Sequence, residues 1–94
     1  MGQRRRCGGI TVIAMPGTAG AATVGFVAGK KVGSAVKRNR AKRRLREAAT
    51  HSRLKSDTVY VLIADRGVLD APFGRLVGWI NRCVEELPLA GEKR

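Results

Sequence analysis

Residues 24–48 read VGFVAGKKVGSAVKRNRAKRRLREA. The first part, with Thr23 before it, alternates as a strand. Val24, Phe26, Ala28 and Lys30 point one way, and Gly25, Val27, Gly29 and Lys31 the other. Gly25 and Gly29 on that second face suggest a bend or a close backbone approach. Gly33-Ser34 stops the strand, and Ser34 is a good N-cap for a helix reaching Ala49 or His51. The apolar stripe of this helix is Ala41, Leu45, Ala48 and Ala49. Asn39, Lys42, Arg43 and Arg46, at i, i+3, i+4 and i+7, share another face. Arg44 borders the apolar stripe and has to snorkel. Between Lys30 and Arg46, nine of seventeen residues are Lys or Arg and none is acidic. So many like charges one turn apart destabilise a helix unless a polyanion neutralises them.

The flanks supply a small sheet and a second helix. Ile10 to Met15 reads as a short strand ended by Pro16-Gly17, and Thr18 to Ala22 as a small-residue turn. Asp57 and Thr58 open a strand from Val59 to Ala64. Its nearly continuous apolar character predicts a central strand buried on both faces. Asp65-Arg66-Gly67 ends it. Asp70 is placed to cap a last helix with Pro72 in its first turn. Phe73, Leu76, Val77, Ile80, Val84 and Leu87 form the apolar stripe of that helix, and Pro88 ends it. Residues 1–8 read as a basic, flexible N-terminus and residues 88–94 as a tail. The expected fold is α+β: one domain over residues 1–94, a three- to four-stranded sheet, and both helices packed on it.

Nineteen Lys and Arg stand against seven Asp and Glu, a net charge of +12. Nucleic acid is the commonest partner for a small protein so basic. A membrane-surface helix needs bulky apolar residues opposite its cations, and the basic helix offers only Ala41, Leu45, Ala48 and Ala49. No run of about 18 apolar residues is present, and Ile10 to Ala14 is too short for a signal-peptide core. The cytoplasm is the default location. Cys7 and Cys83 lack metal-ligand or CxxC spacing and read as a tail thiol and a helix-core thiol.

The scattered carboxylates point away from a catalyst acting alone. Asp57 and Asp65 sit at opposite ends of one strand, roughly 26 Å apart at full extension. Ser34 and Ser56 suit caps and turns, and GKKVGS lacks P-loop spacing. His51 reads as an exposed or phosphate-facing residue. Phosphate and base recognition remain. Arg offers a planar donor fork and Lys a point charge. Asn39 is a poor helix former set among cations, and its amide can pair with a base edge or a sugar hydroxyl.

The run Val24 to Val36, followed by Arg38-Asn39-Arg40-Ala41-Lys42-Arg43 and Arg46-Glu47-Ala48, resembles the bacterial ribonuclease P protein component. YVLIADRG, Tyr60 to Gly67, resembles a later strand of that family. The resemblance covers about residues 8–87. It implies the protein subunit of a ribonucleoprotein endonuclease that matures the 5′ end of transfer RNA. The RNA subunit then cleaves with magnesium, and the protein carries no catalytic or metal-ligating residue. Carried over by position, the RNA-contacting residues are Lys30, Lys31, Arg38, Asn39, Arg40, Lys42, Arg43 and Arg46. Phe26 and Ala28 are candidates for the cleft that holds the precursor's 5′ leader. The implied partners are the catalytic RNA and precursor transfer RNA, with neither DNA nor membrane. The strand–helix–strand unit is expected to take the family's left-handed crossover, a rare exception to the general rule.

Three departures accompany the resemblance. Family members begin with a basic helix of the kind R-x-x-x-D-F-x-x-V, and this chain starts at what looks like its end, Arg4-Arg5-Arg6. The aromatic wall of the leader cleft is then missing or incomplete. Gly29 stands where the family has Ser, and Arg44 replaces a usually apolar residue. The same basic helix also suits a stand-alone RNA- or ribosome-binding protein, a DNA-compacting protein, or a truncated, inactive remnant of the family.

Overall fold

The strand Thr58–Ala64 organises the fold. In the computed structural model, which describes residues 3–17 and 20–87, it is paired on both sides, along its whole length with one neighbour and from Val59 to Ala64 with the other. The strands are β1 (Gln3–Cys7), β2 (Ile10–Pro16), β3 (Thr23–Ala28) and β4 (Thr58–Ala64), and the sheet order is β1-β2-β4-β3. β1 and β2 form an antiparallel hairpin, β2 and β4 are antiparallel, and β3 and β4 are parallel. A single 3-10 turn (Lys30–Val32) and helix α1 (Ala35–Thr50) connect β3 to β4. A helical turn, α2 (Gly67–Asp70), and helix α3 (Phe73–Glu86) follow β4.

The helices cover one face of the sheet only. Ile10, Val12, Ala14, Tyr60, Leu62 and Ala64 meet Leu45, Ala48, Leu76, Ile80 and Val84 in one core. β4 is therefore central, as its composition predicts, but it is not buried on both faces. Val59, Val61 and Ile63 are half-buried on the far side. Its uniform apolarity comes from a sheet whose second face is also apolar at the centre. Tyr60 is fully buried, and its hydroxyl accepts the Lys55 amide at 3.1 Å.

Ser34 caps α1 as expected, its Oγ accepting from the Lys37 amide. Asp70 does not cap the last helix. It belongs to α2, and Pro72 precedes α3 without a side-chain cap. The close backbone approach suggested at Gly25 and Gly29 is absent, since a Cβ at either position would meet open space.

Residues 3–7 are not a frayed terminus. They form edge strand β1, and Arg4–Arg6 are extended rather than the end of a helix. The sequence hides this strand because three arginines mask its alternation. Arg5 lies on the helix side and pairs with Glu86 at 2.7 Å. Arg6 lies on the other side and pairs with Asp65. Residues 88–94, read as a tail, lie outside the described residues, as do residues 18–19 of the expected turn.

Gly8 closes the β1–β2 hairpin at φ +60°, where a Cβ would overlap the Trp79 ring of α3. Gly8→Ala should cost about 2 kcal/mol in denaturant unfolding, from left-handed backbone strain and overpacking. Combined with Trp79→Leu, the glycine substitution should cost about half as much, because the overpacking part disappears.

Cys7 and Cys83, distant in sequence, are neighbours in the fold. Both are buried and free, and the Cys83 thiol donates to the Arg5 carbonyl at 3.5 Å. Burial, then the neighbouring Cys7 thiol, pushes the Cys83 thiol far above its ordinary value of 9.0. Because both thiols are buried, both should resist alkylation in the folded protein and react after unfolding. A raised thiol pKa favours the neutral folded form. Its stabilisation is fully present below the ordinary thiol value and is lost as pH rises above it. Denaturant midpoints measured up to strongly alkaline pH check the sign.

Candidate nucleic-acid interface

The basic residues of α1 fall on three parallel ridges. Arg38, Lys42 and Arg46, spaced i, i+4 and i+8, form the first. It runs beside β3, for the Arg46 guanidinium lies 5.3 Å over the Phe26 ring. Asn39 and Arg43 form the crest and are exposed. Arg40 and Arg44 form the third ridge, which faces α2. Arg44 donates to the carbonyls of Val68 (2.5 Å), Leu69 (2.9 Å) and Ala71 (2.6 Å). The consecutive residues Arg38, Asn39 and Arg40 thus open onto three directions. Arg44, although inside the cationic run, is occupied by the protein itself.

The remaining α1 cations have no such hydrogen bonds among the described residues, and Arg46 alone of them meets an aromatic ring. Among the described residues the ion pairs involve Arg5, Arg6, Arg53 and Arg82; no carboxylate lies within 4.0 Å of any α1 cation or of Lys30 and Lys31. Asn39 makes no side-chain hydrogen bond within the described protein. An unneutralised row of guanidinium and ammonium groups, with one free amide on its crest, is chemically a phosphate ladder with a single reading group.

Lys30 and Lys31 stand apart from α1. With Arg6, Thr11, Ile63 and Asp65 they line a depression of about 440 Å³ at the ends of β3 and β4. This depression borders the uncovered face of the sheet. There the register aligns Ile13 with Val61, Thr11 with Ile63, and Gly25 with Val61, with Arg4 and Arg6 along the β1 margin. The uncovered face has an apolar centre and a cationic rim, and it holds no aromatic side chain among the described residues.

Phe26 and Ala28 lie elsewhere. Their register partners Leu62 and Ala64 face the helices, so both are on the covered side of the sheet. They cannot form the floor of a cleft on the uncovered face. Arg4 and Arg6, which the sequence reading left out, belong to that face. Their alternate positions in a strand are the signal that would have revealed them. His51 is exposed, as expected, and its ring meets Phe73 edge-on at 5.5 Å.

A model of the Ribonuclease P family matches residues 1–88. The chain belongs to the ribonuclease P protein family. It is 50% identical over 66 residues to the ribonuclease P protein component of Symbiobacterium thermophilum, covering 68% of this chain and 54% of that protein. It is 43% identical over 67 residues to the corresponding protein of Bartonella quintana, covering 68% and 50%. The chain therefore spans about half the length of these relatives. The fold agrees. The ribonuclease P protein of Thermotoga maritima superposes with a TM-score of 0.80 at 17% identity, over 93% of this chain and 84% of that one. The Staphylococcus aureus protein gives 0.71 at 21%, over 89% and 79%. No helix among the described residues is long and apolar enough to cross a membrane.

Proposed function

We propose that this chain is the protein subunit of a ribonuclease P ribonucleoprotein, acting in the cytoplasm. Its α1 crest and flanks bind the catalytic RNA, and the uncovered sheet face takes the 5′ leader of precursor transfer RNA. The observation that carries this reading is the cationic row of α1 without a carboxylate partner. The row supplies phosphate contacts that fix register, while Asn39 reads a base edge or a 2′-hydroxyl.

Among the described residues the carboxylates do not gather into a magnesium site. Asp65 is held by Arg6 and by the amide of Arg66, and Asp57 Oδ1 accepts the Gly20 amide at 2.6 Å. Magnesium then enters with the RNA, and the protein's part is to lower repulsion between two polyanions. Among the described residues the uncovered face carries no aromatic stacking platform, so the leader contacts it offers are phosphate charge and aliphatic packing.

Purified alone, the protein should cleave no precursor. Added to its cognate RNA at low magnesium, it should raise precursor cleavage. Nuclease activity surviving removal of all RNA would overturn the reading. Co-purification with bulk ribosomal RNA or DNA, rather than one structured RNA, would favour a stand-alone binding protein.

Asn39 provides a sharper test. Asn39→Ala should weaken binding to the cognate RNA several-fold more than binding to a scrambled structured RNA. Arg43→Ala should weaken both about equally, because phosphate contacts are blind to sequence. Equal loss of both affinities in Asn39→Ala, or no loss, would reduce Asn39 to a surface residue.

A further inference from the structure

We infer that the near flank of α1 binds more than phosphate: beside it, apart from the crest and from the uncovered sheet face, lies a gutter that takes one unpaired nucleobase. It lies between the free edge of β3 and the near flank of α1. Val24 and Phe26 from β3, Ala49 and Thr50 from α1, and Leu54 beyond the helix line a space of about 390 Å³, with Arg46 over it. That volume is in the range of small-molecule clefts. Its lining is largely apolar, and its one aromatic ring already carries a guanidinium at 5.3 Å.

Three observations select a nucleotide as the occupant. First, Arg38, Lys42 and Arg46 form the ridge along this gutter, at successive helical turns. Their rise of about 6 Å per step is close to the spacing of successive phosphates in an extended strand. Second, the rim is cationic only: none of these three has a carboxylate within 4.0 Å, so the charge awaits an anion. Third, Phe26 is half-buried, so its ring is fixed by packing but not sealed. An aromatic plate beside an unsatisfied arginine ridge is the combination that binds unpaired bases with their phosphates. The base lies against Phe26, and its flanking phosphates take Lys42 and Arg46.

This inference rests on the proposed RNA-binding role, and one titration separates their failures. The full chain, labelled for ring and methyl NMR, is titrated with the hexanucleotide rA6. Matched probes are an abasic hexamer with the same phosphates and hexaglutamate. The expected result is that rA6 binds roughly tenfold tighter than the abasic hexamer, the size of one stacked base. The Phe26 and Leu54 resonances should move with rA6. Phe26→Leu, which keeps the packing, should remove the difference between the two hexamers, and so should Thr50→Leu, which fills the gutter from an exposed position. Arg46→Lys should keep abasic binding and lose the advantage of rA6.

Equal binding of rA6 and the abasic hexamer, with Phe26 unmoved, would overturn the gutter and leave the α1 interface standing. So would a base preference whose shifts fall on Ile13 and Val61 instead. Hexaglutamate shifting Phe26 as strongly as rA6 would mark an acidic-peptide site and also overturn it. Failure of every RNA probe to bind would overturn both readings.

Discussion

Arg44→Ala is expected to destabilise the protein by about 3 kcal/mol, while the neighbouring Arg43→Ala changes stability by less than about 0.5 kcal/mol. The two arginines are adjacent in the most basic stretch of the chain, and charge alone cannot tell them apart. Their surroundings do. Arg43 is exposed on the crest and has no partner among the described residues. Arg44 is half-buried and donates to three carbonyls, those of Val68, Leu69 and Ala71. These belong to the last residues of α2 and the link into α3, where helical carbonyls lack partners of their own. A hydrogen bond to a charged group contributes about 1.5–3 kcal/mol, and losing the donor also strands acceptors away from water. The three bonds share one side chain, so their losses do not add in full. Arg44→Leu should recover part of the loss, because the stem packing is kept. Urea unfolding measures all three variants. If Arg44→Ala unfolds like Arg43→Ala, the clamp contributes nothing. The RNA salt slope of Arg44→Leu should match that of the unaltered protein, since this guanidinium is not available to phosphate.

The strand–helix–strand centre of the fold was legible because each local signal agreed with the others. Ser34 caps, Ala41, Leu45, Ala48 and Ala49 are buried, and β4 runs between its two glycine- and aspartate-marked ends. The misreadings share a cause: each depended on what lies across space. β1 looked like a frayed basic tail because its strand pattern is carried by arginines. Its stability comes from the hairpin with β2 and from Arg5 reaching Glu86. β4 looked buried on both faces because an uncovered apolar face and a buried one have the same composition. Cys7 and Cys83 looked unrelated because 75 residues separate two positions that packing places side by side. Within the site, which residues are cationic was legible, but not which ridge each occupies. Phe26 looked like a candidate for the leader cleft; its register partner Leu62 places it on the side of the sheet that carries α1, away from the uncovered face. Arg44 was seen to border the apolar stripe, and only the α2 carbonyls explain how that position tolerates a charge.

The combined variant Arg40→Ala, Lys42→Ala, Arg43→Ala is expected to bind the cognate RNA about a hundredfold more weakly at low salt, and the gap should shrink as salt rises. The reason is counterion release. Each phosphate neutralised by a side chain frees condensed cations, so log affinity falls linearly with log salt, with a slope of about −0.9 per contact on a duplex and −0.7 on a single strand. Roughly five contacts give the unaltered protein a slope of about −3 to −5. Removing three should lower its magnitude by about 2 to 3. Over a fourfold rise in salt, from about 50 to 200 mM, that difference closes the gap by about 30-fold. The three residues are chosen because none has a carboxylate partner and none contacts Phe26. They remove charge while leaving Arg44's clamp and the Arg46–Phe26 contact in place, and of the gutter's cations they remove only Lys42. Stability should hold or rise slightly, since like charges one turn apart repel each other when no RNA is bound. The measurement is a set of affinity titrations at several salt concentrations, with urea unfolding of the same proteins. An unchanged slope with reduced affinity would mean that these side chains act on something other than phosphate. An unchanged affinity would mean that the ridges of α1 are a solvated surface and that RNA binds elsewhere on the protein.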